Sequence, residues 1–500
     1  MECIKTVSFS VLINGEATEP FETARGLRQG DPISPFLFAI VMEYLSRSLA
    51  ELRKESTFQY HPRCKKLGIT HMSFADDLLL FAKGDLESIT AMFQYFSQFS
   101  EASGLQANLG KSSVYFGGVK QEMKKQIIDH LGFAHGELPF KYLGIPLSTK
   151  KIALIQWQPL VEKITAKITS WTAKKLSYAG RLQLVQSVVF GIQAYWAQLF
   201  IIPVKVLKII EAICRSFIWS GSNTITKKAY VSWDRMCTPK SAGGMNLINF
   251  LLWNKAAIAK VCWDLAHKED KLWIRWINAF YIKHYQLEDM PIPKQASWMV
   301  RRIIASRDIL QQLQRSSVHK GSIRQIYLQL LGDLPRVSWK NLIMQNYARP
   351  KAVFNLWLML QGRLPTKDRL AKWGMNINQQ CVLCQGHKET KEHLFLSCSF
   401  SEDLWKQVMQ WIQEEQPKNH TWDQRLQWII SKAKGKSSRA SIFKMVITEV
   451  SYALWMERNA RIFENKYRNS EVLARELAYI CNVRGNPRTK ANAAILDIVD

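Results

Sequence analysis

Residues 71–81, HMSFADDLLLF, place two apolar runs around an adjacent pair of carboxylates, Asp76 and Asp77. That pattern leaves the local backbone little choice. Two short apolar runs joined at a polar dipeptide form a strand–turn–strand hairpin with the acids at its tip. Two like charges side by side within apolar flanks repel each other unless a counter-charge neutralises them. Divalent cations do this, and phosphoryl-transfer enzymes use carboxylates to hold two Mg2+ ions that activate a hydroxyl and stabilise the leaving oxygen. An exposed turn that merely carries two acids is the plainer alternative, and the tetrapeptide alone does not choose between them.

Other segments surround it. Residues 25–35 read RGLRQGDPISP. Gly26 and Gly30 allow close backbone approach, and Arg25 and Arg28 supply positive charge. Ser34 followed by Pro35 reads as an N-cap and a first helical position, opening a helix through FLFAIVMEYLSRSLAEL with one apolar face. Downstream stand GLQANLGKSSVYF (104–116) and FKYLGIPLS (140–148).

In this order and spacing, the four segments resemble successive motifs of LINE-type (non-LTR) retrotransposon reverse transcriptases, the plant type especially. The resemblance covers residues 1–150. It implies a partial right-hand polymerase palm, an antiparallel sheet with helices. GLRQGDPISP resembles the motif that packs against template and incoming nucleotide, which makes Arg28, Gln29 and Gly30 binding candidates. SFADDLLLF resembles the catalytic hairpin, with Asp76 and Asp77 as Mg2+ ligands. GLQANLGKS and KYLGIP resemble later palm motifs, the second near the primer grip. The implied activity is RNA-directed DNA polymerisation by two-metal nucleotidyl transfer, with an RNA template and a DNA primer as partners. The family also carries a third metal-binding aspartate on a palm strand ahead of GLRQGDP. That strand and the fingers are expected to be missing here. Asp31 belongs to the later motif, and Asp85 is expected to face solvent. With two carboxylates of three, the expectation is weak or absent activity, on the order of a thousandfold down. The alternative is a non-catalytic remnant that binds nucleic acid and zinc.

Composition widens the picture. The net charge is +27, from 68 Lys+Arg against 41 Asp+Glu. Such a surface attracts polyanions, nucleic acid first, because each neutralised phosphate releases counterions. An anionic membrane is the rival, and charge by itself does not separate the two. Hydrophobic residues at 47% support a globular core, and 500 residues exceed one ordinary domain. All 18 tryptophans lie between Trp157 and Trp455, which puts a boundary near 150. Beyond it, apolar steps such as Leu182, Val185, Val188, Val189 and Ile192 predict helix. Residues 182–204 carry no charge. However, Gln183, Gln186, Gln193 and Gln198 would each need a partner in hydrocarbon, so a buried helix outside any membrane is expected. Lys174, Lys175 and Arg181 are either backbone contacts for template and primer or a solvated face. Trp233, Trp253 and Trp263 read as core, and Gly243–Gly244 as a turn. Lys432, Lys434, Lys436 and Arg439 read as a solvated linker or a basic patch. The N-terminus has no signal-peptide pattern.

Of nine cysteines, Cys3, Cys64, Cys214, Cys237, Cys262 and Cys481 are scattered singly, and three cluster at Cys381, Cys384 and Cys398. This suits a reducing compartment, nucleus or cytoplasm, with no disulfide-linked partner. Cys381-x2-Cys384, followed by a histidine and Cys398, supplies ligands for a closed tetrahedral Zn2+ of structural type. Spacing leaves His387 as a rival to His393. Here too a resemblance enters: WLMLQGRLPTKDRLAKWG…CVLC…ETKEHLFLSC resembles the zinc-binding domain of plant LINE reverse transcriptases. It implies His393 and Cys398 as the second pair. Thr366 is then an N-cap, and Lys367, Arg369 and Lys372 are either nucleic-acid contacts or a solvated helix face. SYALWMERNARIFEN (451–465) resembles the closing helix of these proteins. The expected fold is α+β: a partial palm over 1–150, a mostly α-helical thumb-like region over 151–322, a small zinc-binding domain over 323–411 and a helical basic tail over 412–500.

Overall fold

A computed structural model of the protein describes residues 8–22, 27–28, 30–148, 150–172, 175–314, 321–415, 417 and 421–485. The chain is α+β and divides into two compact units. The first comprises 1–150 and 267–296, the second 151–266 and 297–500.

The first unit begins with a short ribbon. Strand β1 (Ser8–Phe9) pairs with β4 (Phe21–Glu22), and β2 (Leu12–Ile13) with β3 (Glu16–Ala17). Helix α1 (Ser34–Glu51) has Pro35 in its first turn and no interior glycine. Its i, i+4 row Val41, Leu45 and Leu49 faces the core. Helix α2 (Leu86–Ser103) starts at Asp85, whose carboxylate accepts the Ser88 N–H at 2.9 Å, and stops at the left-handed Gly104. Leu45, Leu49 and Leu52 meet Phe58, Ala91, Met92 and Phe99 between these elements. Each buried leucine contributes roughly 2 kcal/mol. Strands β5 (His71–Phe74) and β6 (Asp77–Leu80) form the expected hairpin, with Leu78 packed on that core. Next come β7 (Ser113–Val114), helix α3 (Gln121–Leu131), β8 (Ala134–His135), and the hairpin of β9 (Phe140–Tyr142) with β10 (Ile145–Leu147). Residues 267–296 join this unit through polar contacts. The Trp276 indole donates to the Arg63 carbonyl at 2.7 Å, and Arg63 donates to the Tyr281 hydroxyl at 3.1 Å.

The expected antiparallel palm sheet is not formed as one sheet. Among the described residues there are five two-stranded sheets, and β7–β8 is parallel. These strands are two to four residues long. The core that orders them is helical, so hydrogen bonding ends at single pairs.

The second unit is helical. Helix α4 (Gln158–Thr172) packs on α7 (Val204–Ser220). The uncharged stretch runs as α5 (Tyr178–Leu184), a π turn over Val185–Val189, and α6 (Phe190–Leu199). Gln186 donates to the Met245 carbonyl at 3.0 Å. Gln193 is fully buried, and among the described residues neither of its amide atoms is paired. Among the described residues no helix is long and apolar enough to cross a membrane. Helix α8 (Phe250–Ala266) buries Ala256, Ala257 and Ala259, small side chains that let α6 and the helix Ile323–Leu331 approach. Trp233 is buried, and Trp253 and Trp263 are partly buried. Gly243 has φ +87, and its carbonyl accepts the Trp357 indole N–H at 2.8 Å. A Cβ on Gly244 would stand 2.0 Å from the Thr238 carbonyl oxygen. The unit continues through α9 (Pro350–Leu360), α10 (Lys367–Lys372), α11 (Ser399–Trp411), α12 (Trp422–Lys432), α13 (Ser438–Phe463) and α14 (Ser470–Arg484).

Candidate functional site

At the acidic pair, Phe74 faces Asp77 across the ribbon, so Ala75 and Asp76 form the turn. Ala75 takes φ +50 to close it, a left-handed conformation costing an alanine roughly 1 kcal/mol. The ribbon is tied at its base. His71 Nε2 lies 2.9 Å from Ser46 Oγ on α1, and the Phe81 N–H reaches the Thr70 carbonyl at 2.8 Å. Asp76 and Asp77 are both exposed. Among the described residues neither makes an ion pair or a side-chain hydrogen bond. Tyr142, in the KYLGIP segment, is raised above the ordinary phenol range by burial first and then by the Asp77 carboxylate. The β9–β10 hairpin therefore lies within electrostatic reach of the acidic pair. Sequence reasoning did not single out Tyr142, and no local pattern marks it.

Around the other candidates the structure is local. Arg28 and Gly30 are exposed in the turn into α1, Gly30 at φ +91. Among the described residues they share no hydrogen bond with the acidic pair. Gln29, Arg25, Gly26 and Lys174 lie outside the described residues. The Ser34 assignment needs correction. Ser34 is already helical, Ile33 occupies the cap, and the Ser34 hydroxyl donates backwards to the Arg28 carbonyl at 2.7 Å. Asp31 closes this turn by accepting the Ile33 N–H at 3.0 Å. Asp85 does not simply face solvent, because it caps α2 and pairs with Lys83 at 3.5 Å. Arg181 turns inward. It donates to the Ile218 carbonyl at 3.3 Å and occupies the space that a Cβ on Gly221 would need.

The sulfur site is compact. Cys381, Cys384, His393 and Cys398 bring their ligand atoms within 4.8 Å of one another, and among the described residues no other such group exists. His387 stays outside, and its carbonyl accepts the Cys381 N–H at 2.7 Å. The four-residue gap from His393 to Cys398 closes as a π turn, in which the Cys398 N–H reaches the His393 carbonyl at 2.8 Å. Cys381 Sγ and Cys398 Sγ are 3.9 Å apart, and Cys384 Sγ is 3.2 Å from His393 Nε2. Bond lengths at tetrahedral Zn2+ require edges of about 3.8 Å for sulfur–sulfur and about 3.5 Å for sulfur–nitrogen. Three soft sulfurs and one imidazole with those edges fit zinc. The Cys381 thiol is pushed down to about 4, chiefly by the Cys398 thiol that hydrogen-bonds to it, with help from the Leu383 and Cys384 N–H groups. Cys398 moves up for the same reason and through burial.

The basic residues of α10 are partly committed. Lys367 Nζ donates to the Gln380 carbonyl at 2.7 Å. Arg369 donates to the Leu364 carbonyl and lies 5.0 Å over the Trp373 ring. Lys372 is solvated beside Asp368. Thr366 sits at the cap position, but its hydroxyl donates to Asp368 at 2.5 Å and accepts no backbone N–H.

Comparison with known proteins agrees with this geometry. A family profile described as reverse transcriptase (RNA-dependent DNA polymerase) matches residues 1–147, and one described as zinc-binding in reverse transcriptase matches residues 322–405. The Pol polyprotein of the type-2 retrotransposable element R2DM of Drosophila melanogaster is 22% identical over 77% of this chain and 35% of its own length. That of the type-1 element R2 of Popillia japonica is 26% identical over 39% of this chain and 32% of its own. These two stretches therefore resemble the polymerase and zinc-binding regions of non-LTR retrotransposon reverse transcriptases. An Arabidopsis thaliana protein named as a ribonuclease H protein is also similar, 28% identical over 26% of this chain and 21% of its own length. The chain thus spans about a third or less of these relatives. In this chain, the acidic hairpin falls inside the first matched stretch and all four sulfur-site residues inside the second.

Proposed function

We propose that this chain supplies the catalytic hairpin and the zinc module of an RNA-directed DNA polymerase, acting on an RNA template and a DNA primer. The observation that carries the reading is the exposed Asp76–Asp77 tip, unpaired among the described residues and held on a ribbon anchored to α1. These two carboxylates would hold Mg2+. Bound magnesium lowers the barrier by activating the primer hydroxyl and stabilising the leaving oxygen. Arg28 and Gly30 suit a phosphate-bearing ligand, by charge and by a backbone open to close approach. We read the short strands around this tip as a partial palm. Cys381, Cys384, His393 and Cys398 hold zinc in a structural role, since four protein ligands leave no open position. The Arabidopsis relative supports a plant element as the source. The single scattering of six cysteines, with the other three gathered in a metal-ligand pattern, supports an intracellular, reducing setting.

One observation favours a second reading, a non-catalytic nucleic-acid-binding remnant. Among the described residues no third acidic side chain gathers beside Asp76 and Asp77. Primer extension on an RNA template decides. Magnesium-dependent extension that falls about a thousandfold or more in Asp76→Ala supports the polymerase. Salt-sensitive binding of template–primer without extension supports the remnant. Extension that Asp76→Ala leaves unchanged removes the hairpin from the chemistry.

A further inference from the structure

The loop that carries the zinc ligands has little structure of its own. Within it the Gln380–Lys388 bridge is joined by three short backbone bonds, from the Cys381 N–H to the His387 carbonyl, the Gln385 N–H to the Cys381 carbonyl and the Glu389 N–H to the Gln379 carbonyl. Two of its points are also gripped by α13, far along the chain. Glu389 lies between Cys384 and His393 and has no exposed surface. Its carboxylate accepts Arg458 Nη2 at 2.7 Å, Arg458 Nε at 3.1 Å and the Lys367 N–H at 2.9 Å. Arg458 is itself buried. Three residues on, Arg461 Nη1 donates to the Leu383 carbonyl, between the first two cysteines, at 3.1 Å. The Arg461 guanidinium also lies 4.5 Å over the ring of Phe400, two residues past Cys398. Its direction is set by Glu457, fully buried, which accepts Arg461 Nε at 2.8 Å and both the N–H and Nε of Arg468 at 3.0 Å.

Buried ion pairs rarely add net stability over an apolar pair of the same volume, because both charges lose their hydration. What they do supply is direction. Here they converge on the Leu383 carbonyl between the first two cysteines and on the Glu389 carboxylate four residues before His393, and the arginines responsible lie beyond the stretch matched by the zinc-binding profile, which ends at 405.

We infer that Glu389, Arg458 and Arg461 are positioning residues for the zinc centre. Helix α13 clamps the loop at Glu389 and Leu383, so that the two ligand pairs stand at metal-binding separation before the ion arrives. The inference rests on the zinc reading above. It extends the metal module to the helices after 405, whose loss would weaken zinc without removing a ligand.

The test uses the full chain, purified as wild type, Arg458→Met, Arg461→Met, Arg461→Lys and Glu389→Gln. Zinc content, zinc affinity by chelator competition and the visible ligand-field bands of the Co2+-loaded protein are measured. Wild type is expected to hold one zinc. Arg458→Met and Arg461→Met should lose about 10–100-fold in zinc affinity and shift the Co2+ bands, with helical circular dichroism retained. Arg461→Lys should recover part of the loss, because an ammonium still reaches the Leu383 carbonyl. Glu389→Gln keeps the shape and puts the same question if Arg458→Met does not fold. Unchanged affinity and unchanged Co2+ bands in the variants, with a normal wild type, overturn the clamp. A wild type that holds no zinc overturns the zinc reading itself.

Discussion

Glu211 on α7 is a carboxyl in the wrong place for its charge. Burial, and then the neighbouring Asp234, push it up to about 7, against the opposing pull of Lys208, Trp233 and Arg215. The sign follows from the raised value. Below the unfolded carboxylate range both states are protonated and nothing is lost. As pH rises towards 7, the unfolded chain ionises first, so folding loses stability across that window and stays penalised above it. The shift sets a ceiling of roughly 3 kcal/mol, which partial exposure reduces to about 1–2 kcal/mol. Glu211→Gln should therefore raise the melting temperature at pH 8 and leave it unchanged near pH 4. An equal effect at both pH values would contradict this. Single residues also show where sequence stops informing. That Ser34 and Thr366 stand at helix starts is readable from their neighbours. Where their hydroxyls point is not, because the Arg28 carbonyl and the Asp368 carboxylate take them in place of the helix N–H groups.

At the scale of elements, the parts of the chain that sequence reveals are those whose chemistry is local. The hairpin at 71–80 follows from alternating runs and a polar turn, and the Cys–His cluster follows from spacing, since the π turn turns a four-residue gap into adjacency. The clamp on that cluster is not readable. Glu389 and Arg458 are 69 residues apart, and each looks like an ordinary surface charge in its own segment. The basic run at 432–439 is solvated and connects α12 to α13, but its two ends are tied by Lys432 and Arg439 to Glu414 at 2.7 and 2.8 Å, a contact that the run itself does not reveal. The clamp and the ion hold different parts of this loop. Helix α13 fixes Leu383 and Glu389, whereas the ion would join Cys381 and Cys384 to His393 and Cys398. Chelation of zinc is expected to lower the melting temperature and to speed amide exchange over 381–398, with α1 and α2 unaffected, and Cys398→Ser should reproduce both effects. A chelated chain with unchanged exchange over 381–398 would mean that the loop holds itself.

For the whole molecule, the decisive quantity is how much positive charge remains after internal pairing. Arg349, Arg458, Arg461 and Arg468 are consumed by Glu449, Glu389 and Glu457, and Lys432 and Arg439 by Glu414. These networks set six cations against four acids, so nearly all of the excess of +27 is carried by the rest of the chain. A surface of that excess meets a phosphate backbone by releasing counterions, and each contact contributes about 0.9 to the slope of log affinity against log salt on duplex. Six to ten contacts correspond to a fall of roughly 10³–10⁵ between 50 and 200 mM salt. The chain is therefore expected to bind a template–primer duplex with a slope of about −5 to −9, whether or not it extends the primer. Asp76→Ala should leave that slope where it is, because the acidic pair acts on metal and not on the bulk of the duplex. The same titration has a second use. Binding that does not respond to salt, or no binding at all, would mean that the charge serves a protein partner, and the zinc module would then be a scaffold and not part of a polymerase.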